Sequence, residues 1–431
     1  MSAPVYLGID IGTTGIRASI IDDNKNEILT EHISFSPILP IDDKNEQSAE
    51  NWLQFLHQLL AKLSTRLNTI DTTFKIKAIA IDGTSSTLIA CKKDGTALSP
   101  ALMYNDQQSQ QQAQYIKQNA ASNSAVFGAS SSLAKALNLL ESYPQTEIFC
   151  HQADWLASAL TGKYGISDEN NCLKFGYDSS AQEWPQWLID LLPSNFSPAL
   201  LPDVVAPGTI IAEVKPDLIK KYTLDKHCKV VAGTTDSNAA VLATGINQTG
   251  DAVTSLGSTL VLKLFTDKPI FDAESGIYSH RLNGHWLVGG ASNSGGAVLL
   301  QHFSAQQLED MTSLLKPEQK TGLKYYPLPA TGERFPINDC NKKSIIEPKP
   351  ESDIEFFQGL LEGIANIEAE AYKKLQALGA SPVKKIVTAG GGSKNQAWNK
   401  IREQATGVSV TTAKHSEASY GSALLARKAV K

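Results

Sequence analysis

Gly8-Ile9-Asp10-Ile11-Gly12-Thr13-Thr14-Gly15-Ile16-Arg17 lies close to the start of the chain and decides how the rest is read. The aliphatic run from Val5 predicts a strand, Gly12 to Gly15 a turn, and the β-branched residues up to Asp22 a second strand. An acid at a strand end followed by Gly-Thr-Thr can serve two purposes. Asp10 can hold a hydrated Mg²⁺, an ion that takes few carboxylates and keeps several waters. The backbone N–H groups of the turn, with the Thr13 and Thr14 hydroxyls, can approach phosphate oxygens. The same residues also describe an ordinary hairpin, and the segment alone leaves both open. Outward from it, Lys77 to Cys91 repeats the design as KAIAID, a GTSS turn and TLIAC. Between the two, residues 50–67 place Trp52, Leu53, Phe55, Leu56, Leu59, Leu60 and Leu63 at helical period. Strands alternating with amphipathic helices predict an α/β architecture.

The 431 residues suggest two or three folded units. With 39 Lys+Arg against 44 Asp+Glu, the formal charge is −5, which disfavours binding to a nucleic-acid backbone. Mean hydropathy is −0.18 and no long uncharged apolar run occurs, so no membrane span is expected. No secretory leader is read at the N-terminus. Five scattered cysteines fit free thiols in a reducing cytoplasm, and the eight histidines show no zinc-ligand spacing. The Gln-rich stretch 107–114 reads as a solvated helix face, 193–208 as irregular chain, and 315–350 as a surface excursion. Residues 355–378 give the longest helix candidate, with Gly379 as its stop.

Two further segments can carry chemistry. In Val230 to Gly245 (VVAGTTDSNAAVLATG) an apolar strand runs into Gly233-Thr234-Thr235, and small residues then open a helix. Asp236 falls at that helix start, where it is either a general base kept ionised by the helix dipole or simply the helix cap. In Lys384 to Trp398 (KKIVTAGGGSKNQAW) a strand ends in Gly390-Gly391-Gly392. Three glycines let a flat ring or a phosphate approach the backbone, and Trp398 can stack on a purine, although a plain loop reads the same way. Neither G-x-G-x-x-G nor G-x-x-x-x-G-K-[ST] occurs, so Rossmann and P-loop readings lack a basis. One internal echo stands out: Gly12-Thr13-Thr14 aligns with Gly257-Ser258-Thr259, each turn entering an aliphatic strand, as two related lobes would show.

Taken together these segments resemble the FGGY carbohydrate kinases of the actin-like ATPase superfamily, nearly end to end. Met103-Tyr104-Asn105-Asp106 is similar to the family's sugar-contact strand, and Lys135 after Ser130-Ser131-Ser132 to its lysine helix. Asp154-Trp155-Leu156 with Leu160-Thr161-Gly162, then Ser167-Asp168 and Asn170-Asn171, resemble the stretch that follows. Arg402 to Gly407 and Glu417 to Gly421 match the C-terminal end. Two features depart from the pattern. Gln107-Gln108 stand where many members have Arg, and Gly83-Thr84-Ser85-Ser86 replaces the Gln-Met-His-Gly turn usual in bacterial xylulose kinases. GTSS and MYND resemble the compact D-ribulose kinases of cyanobacteria and plastids.

The resemblance implies two ribonuclease H-like α/β lobes with mixed sheets around a deep cleft, residues 1–245 and 246–431, with sugar and base in the first and ATP in the second. It implies ATP and Mg²⁺ as cofactors, a free sugar as the small-molecule partner, no nucleic acid or membrane, and a cytoplasmic monomer or homodimer. Asp236 would be the catalytic base and also touch the sugar, with Ser85 and Asp106 as further sugar contacts. Asp10 would hold the metal and touch the sugar. Thr13, Thr14, Gly257, Ser258 and Thr259 would face the phosphates, while Gly391, Gly392, Asn395 and Trp398 would make the adenosine pocket. D-ribulose is the first candidate acceptor, D-xylulose or another polyol the second. A switch ATPase gating a protein partner is the alternative of another class.

Overall fold

The computed structural model describes residues 2–35, 45–70 and 72–431. The chain divides into two units, one of residues up to Ala243 together with Glu417–Lys431, the other Thr244–Ser416.

In the first unit β1 (Ala3–Ile11) and β2 (Gly15–Asp22) form an antiparallel hairpin, closed by Gly12 N–H donating to Gly15 O at 2.9 Å. β3 (Glu27–Ser34) continues the meander on the far side of β2. On the other side β4 (Phe74–Gly83) runs parallel to β1, and the edge beyond it carries β5 (Ile210–Glu213) and β6 (Leu224–Val231), in the order β5-β6-β4-β1-β2-β3. The central strands are apolar on both faces, as strands covered by helices must be. α1 (Ala49–Leu67) buries Trp52, Leu56, Leu59, Leu60 and Leu63 against this sheet, close to the expected helix face. Lys77–Cys91 is not a second hairpin. β4 ends at Gly83, and Leu88–Cys91 joins a separate sheet with Glu46–Gln47, Ala101–Leu102 and Ile148–His151. The Gln-rich stretch enters the helix Gln110–Asn119, in which only Gln112 and Ile116 are buried.

The second unit repeats the plan. β7 (Asp251–Leu256) and β8 (Leu260–Thr266) form a hairpin, β9 (Tyr278–Leu282) and β10 (His285–Ser292) extend it, and β11 (Lys385–Ala389) and β12 (Ser409–Thr412) lie parallel on the other side. Gly257-Ser258-Thr259 therefore occupies the same topological place as Gly12-Thr13-Thr14, which gives the sequence echo a structural basis. The long helix Asp353–Ala377 starts on Ser352, whose hydroxyl accepts the Glu355 N–H, and stops at Gly379, where φ is +103°. Residues 315–350 contain no helix or strand, yet they are more than a surface excursion. Tyr325, Tyr326, Leu328 and Phe335 are buried in this unit's core.

By packing, the C-terminal end of the chain lies with the first unit and not with the residues that follow the expected partition at residue 245. The last helix, Ala418–Ala429, packs on β1 of the first unit. A Cβ on Gly8 would lie 1.9 Å from Ser419 O and 2.2 Å from Ala423 N, so the helix rests on bare strand backbone. Gly8 thus belongs to this packing as well as to the motif around it. No helix among the described residues is long and apolar enough to cross a membrane.

Candidate active site

In the first unit's mixed sheet β1, β4 and β6 run parallel, and ligand sites form beyond the carboxyl ends of such strands. Three strand ends of the first unit carry acids there. Asp10 on β1 and Asp82 on β4 are direct register partners. Gly83 bridges to Thr235, which brings Asp236 alongside. The structure therefore gathers the predicted Asp10 and Asp236 around a third acid that sequence reading passed over. Its signal was present, since KAIAID ends in Asp as LGID does.

Asp82 is fully buried, and Ser422 Oγ–H donates to it at 2.5 Å. Burial, with the charges of Asp10 and Asp236, pushes its carboxyl well above the usual carboxylate range, so it keeps its proton. Burial also raises Asp10, opposed by the hydrogen bond from Asp82 and by Arg17. A neutral Asp82 spares the neighbouring Asp10 and Asp236 the repulsion of a third charge. Ser422 comes from the chain's last helix, and no local pattern could have pointed to it.

Asp236 is the first residue of the helix Asp236–Ala243, half-buried, and its carboxylate accepts the Ser237 N–H at 2.6 Å. Thr235 O takes the Asn238 and Ala239 N–H groups, so the chain turns into the helix one residue earlier. Asn170 Nδ2–H in turn braces Thr234 through its hydroxyl at 3.0 Å. Thr13 and Thr14 are exposed on the β1–β2 turn. Arg17, which leaves that turn, is paired with Glu417 at 2.7 Å.

Ser85 is half-buried on the turn after β4, next to a buried Ser86. Asp106 is buried and accepts from Gln108 N–H at 3.0 Å and from Gln108 Nε2–H at 2.8 Å. The same Nε2 reaches Glu46 at 2.9 Å. Gln108, the departure from the family's Arg, thus bridges two acids.

In the second unit, Gly257, Ser258, Gly391, Gly392, Asn395 and Trp398 line one cavity of about 880 Å³. Leu256, Leu299, Leu300, Leu308 and Phe357 add apolar wall, and Glu309 and Thr312 add polar atoms. The size and mostly apolar lining suit a nucleoside. Thr259 completes the turn, its carbonyl accepting the Gly257 N–H at 3.1 Å. The three glycines differ in purpose. Gly390 has φ +81° and would drive a Cβ to 2.6 Å from Leu256 O, and Gly392 would strike Leu256 and Trp398. Only Gly391 opens on empty space, where a ligand can approach.

Trp398 requires a correction. It is 2% exposed, belongs to the hydrophobic core, and its indole N–H donates to Leu361 O at 3.2 Å. So buried a ring is part of the cavity wall and presents almost no free surface on which a purine could stack. Asn395 caps the following helix by accepting the Trp398 N–H at 2.9 Å, and its amide donates to Thr312 Oγ at 3.1 Å.

Mg²⁺ fits the first unit's acids in a particular way. Among the described residues no group of three His, Cys, Asp or Glu side chains could hold a metal ion. One half-buried carboxylate, Asp10, suits an ion that keeps its waters and arrives on nucleotide phosphates.

Comparison with known proteins also divides the chain near residue 245, but counts the last helix with the second domain. Residues 5–243 match the N-terminal domain, and 252–430 the C-terminal domain, of the FGGY family of carbohydrate kinases. A xylulose kinase of Staphylococcus xylosus is 21% identical over 443 residues, covering 97% of this chain and 90% of that protein. Most of the similar curated proteins carry the name xylulose kinase. Crystal structures of a xylulose kinase from Brucella ovis (TM-score 0.87, 22% identity, 99% of this chain and 90% of that one) and of Plasmodium falciparum glycerol kinase with ADP (TM-score 0.88, 18% identity, 100% and 90%) share the fold. The chain belongs to the FGGY family of carbohydrate kinases, phosphotransferases that use ATP with Mg²⁺ and an alcohol acceptor, built on the two-domain α/β fold of the actin-like ATPases.

Proposed function

We propose that this kinase transfers the γ-phosphoryl group of ATP to the primary 5-hydroxyl of a free ketopentose, D-ribulose first. The observation that carries the proposal is Asp236, a half-buried carboxylate at a helix start beside the β4 turn, within the field of Asp82. In this reading the Asp236 carboxylate accepts the proton as the sugar oxygen bonds to phosphorus, and the bond to the β-phosphate oxygen breaks to release ADP. Phosphoryl transfer asks mainly for positioning and charge neutralisation. Mg²⁺, when bound, would supply charge neutralisation on the phosphates, and Asp10 would be the residue that holds it. Thr13, Thr14 and the turn of Gly257, Ser258 and Thr259 face the phosphates. The apolar cavity walls, Gly391 and Asn395 receive the adenosine. Ser85 and Asp106 contact the sugar.

D-ribulose is favoured by the Gly83–Ser86 turn, which offers hydroxyls and no imidazole. D-xylulose, its C3 epimer, is the second reading, favoured by the names of the relatives. Rates with D-ribulose, D-xylulose, L-ribulose, L-xylulose, glycerol and water as acceptors decide the matter. D-ribulose should lead D-xylulose in kcat/KM by about 10- to 200-fold, the range that one altered contact supplies. A lead for D-xylulose moves the assignment to that sugar. ATP turnover that is indifferent to every sugar would overturn the assignment as a ketopentose kinase.

A further inference from the structure

Lysine is among the residues least often buried without a partner carboxylate. Lys135, in the helix Ser132–Ser142, is 0% exposed, and its ammonium meets two backbone carbonyls, Ser86 O at 2.7 Å and Met103 O at 2.6 Å. A Met of similar volume would fill the same space without the cost of desolvating an amine, so packing alone does not account for the residue. The carbonyls it holds belong to the two turns that carry the proposed sugar contacts. Met103 O also accepts the Asp106 N–H at 2.9 Å, closing the turn that presents Asp106. Ser86 ends the turn after β4 in a left-handed conformation, φ +65°, which is unusual for a residue with a Cβ. Its hydroxyl is buried and has no hydrogen-bond partner. A strained backbone and an unsatisfied buried hydroxyl at one residue point to a group still to be bound.

We propose that Lys135 is a positioning residue of the acceptor site: by joining Ser86 O to Met103 O it fixes the Ser85–Ser86 turn against Asp106 and holds the Ser86 hydroxyl for a sugar hydroxyl. The inference rests on the acceptor-site reading above. Two N–H groups suffice for two carbonyls, so the clamp survives loss of the amine's third proton.

The test compares Lys135→Met, Lys135→Arg, Ser86→Ala and Asp106→Asn with the wild-type enzyme. It uses D-ribulose or D-xylulose, whichever the wild type phosphorylates faster, with thermal melts alongside. For Lys135→Met the ketose KM should rise about tenfold or more while the ATP KM stays within about twofold, a split that general loosening does not produce. Lys135→Arg, which restores donors, should recover part of the loss. Ser86→Ala should raise the ketose KM about three- to tenfold without lowering the melting temperature, because it deletes an unsatisfied buried polar atom. A folded Lys135→Met enzyme with an unchanged ketose KM, or with both KM values raised alike, overturns the inference. If Lys135→Met does not fold, an unchanged ketose KM in Ser86→Ala overturns it. If Asp106→Asn alone raises the ketose KM, only the Lys135 inference falls. If Asp106→Asn leaves it unchanged as well, the acceptor site itself is misplaced.

Discussion

A carboxylate can act as a base only where it keeps its charge and its geometry. Asp236 at the helix start is proposed for that role and Asp10 at the strand end for the metal, and the two proposals separate under mutation. Asp236→Asn keeps the shape but cannot take a proton, so kcat should fall about 10²- to 10⁴-fold while a non-hydrolysable ATP analogue binds with near-normal affinity. Retention of more than about a tenth of wild-type kcat, less than a missing base should cost, would reduce Asp236 to a helix-start residue. Asp10→Asn should weaken Mg²⁺-dependent binding of the analogue as well as turnover, with partial recovery in excess Mg²⁺, which calorimetry over a Mg²⁺ titration reads directly. Lys135 gives a third measurement at this scale. Burial lowers it to about 7, opposed by the Asp106 charge and assisted by Lys174. In the unfolded chain the same amine keeps its proton up to the ordinary lysine value of 10.5. Between those values the unfolded chain binds more protons, so this residue makes stability rise with pH. The gap in melting temperature between wild type and a folded Lys135→Met should therefore shift in favour of wild type from pH 7 to pH 9. A gap independent of pH would mean that Lys135 does not titrate there.

At the scale of elements, glycine contacts decide more than motif membership does. Gly8→Ala would push a methyl into the backbone of the last helix at Ser419 and Ala423. Neither side can yield cheaply, and a loss of about 1–3 kcal/mol or more is expected in chemical denaturation. Trp398→Ala should act as a core deletion, costing about 3–5 kcal/mol. An unchanged melting temperature with a raised ATP KM would instead return Trp398 to the role of a stacking platform. These two residues also show what was legible beforehand. The hairpin at Gly12–Gly15, the helix over 50–67 and the long helix ending at Gly379 follow local periodicity and turn chemistry, which a sequence displays directly. Gly8, Ser422 and Trp398 owe their roles to partners far along the chain, which periodicity does not encode. Asp82 lies between these cases, because its strand was visible but its pairing with Asp10 required the β1–β4 register. The segment 315–350 was misread because its buried aromatics sit in chain without a repeat.

At the scale of the whole molecule, two units share one plan, a hairpin with parallel strands added beyond its first strand, and the chain closes by returning its last helix to the first unit. That return carries Ser422 to Asp82, Ser419 to Ser19 at 2.9 Å, and Glu417 to Arg17. All residues proposed for chemistry and nucleotide binding lie before residue 417, so a chain ending at Ser416 keeps every one of them. It should nevertheless lose ketose phosphorylation, because it uncovers the β1 backbone at Gly8 and leaves buried Asp82 without its hydroxyl donor. Hydrogen exchange locates the damage. Amides of β1, β2 and β4 should lose protection, while those of β7, β8 and β11 keep theirs, since the second unit's core is built within 244–416. Had the last helix belonged to the second unit, as the partition at residue 245 would have it, β7 and β11 would open first and β1 would stay protected. Protection lost equally in both units would show that they unfold as a single cooperative body, and the division of the chain would then describe packing without describing stability.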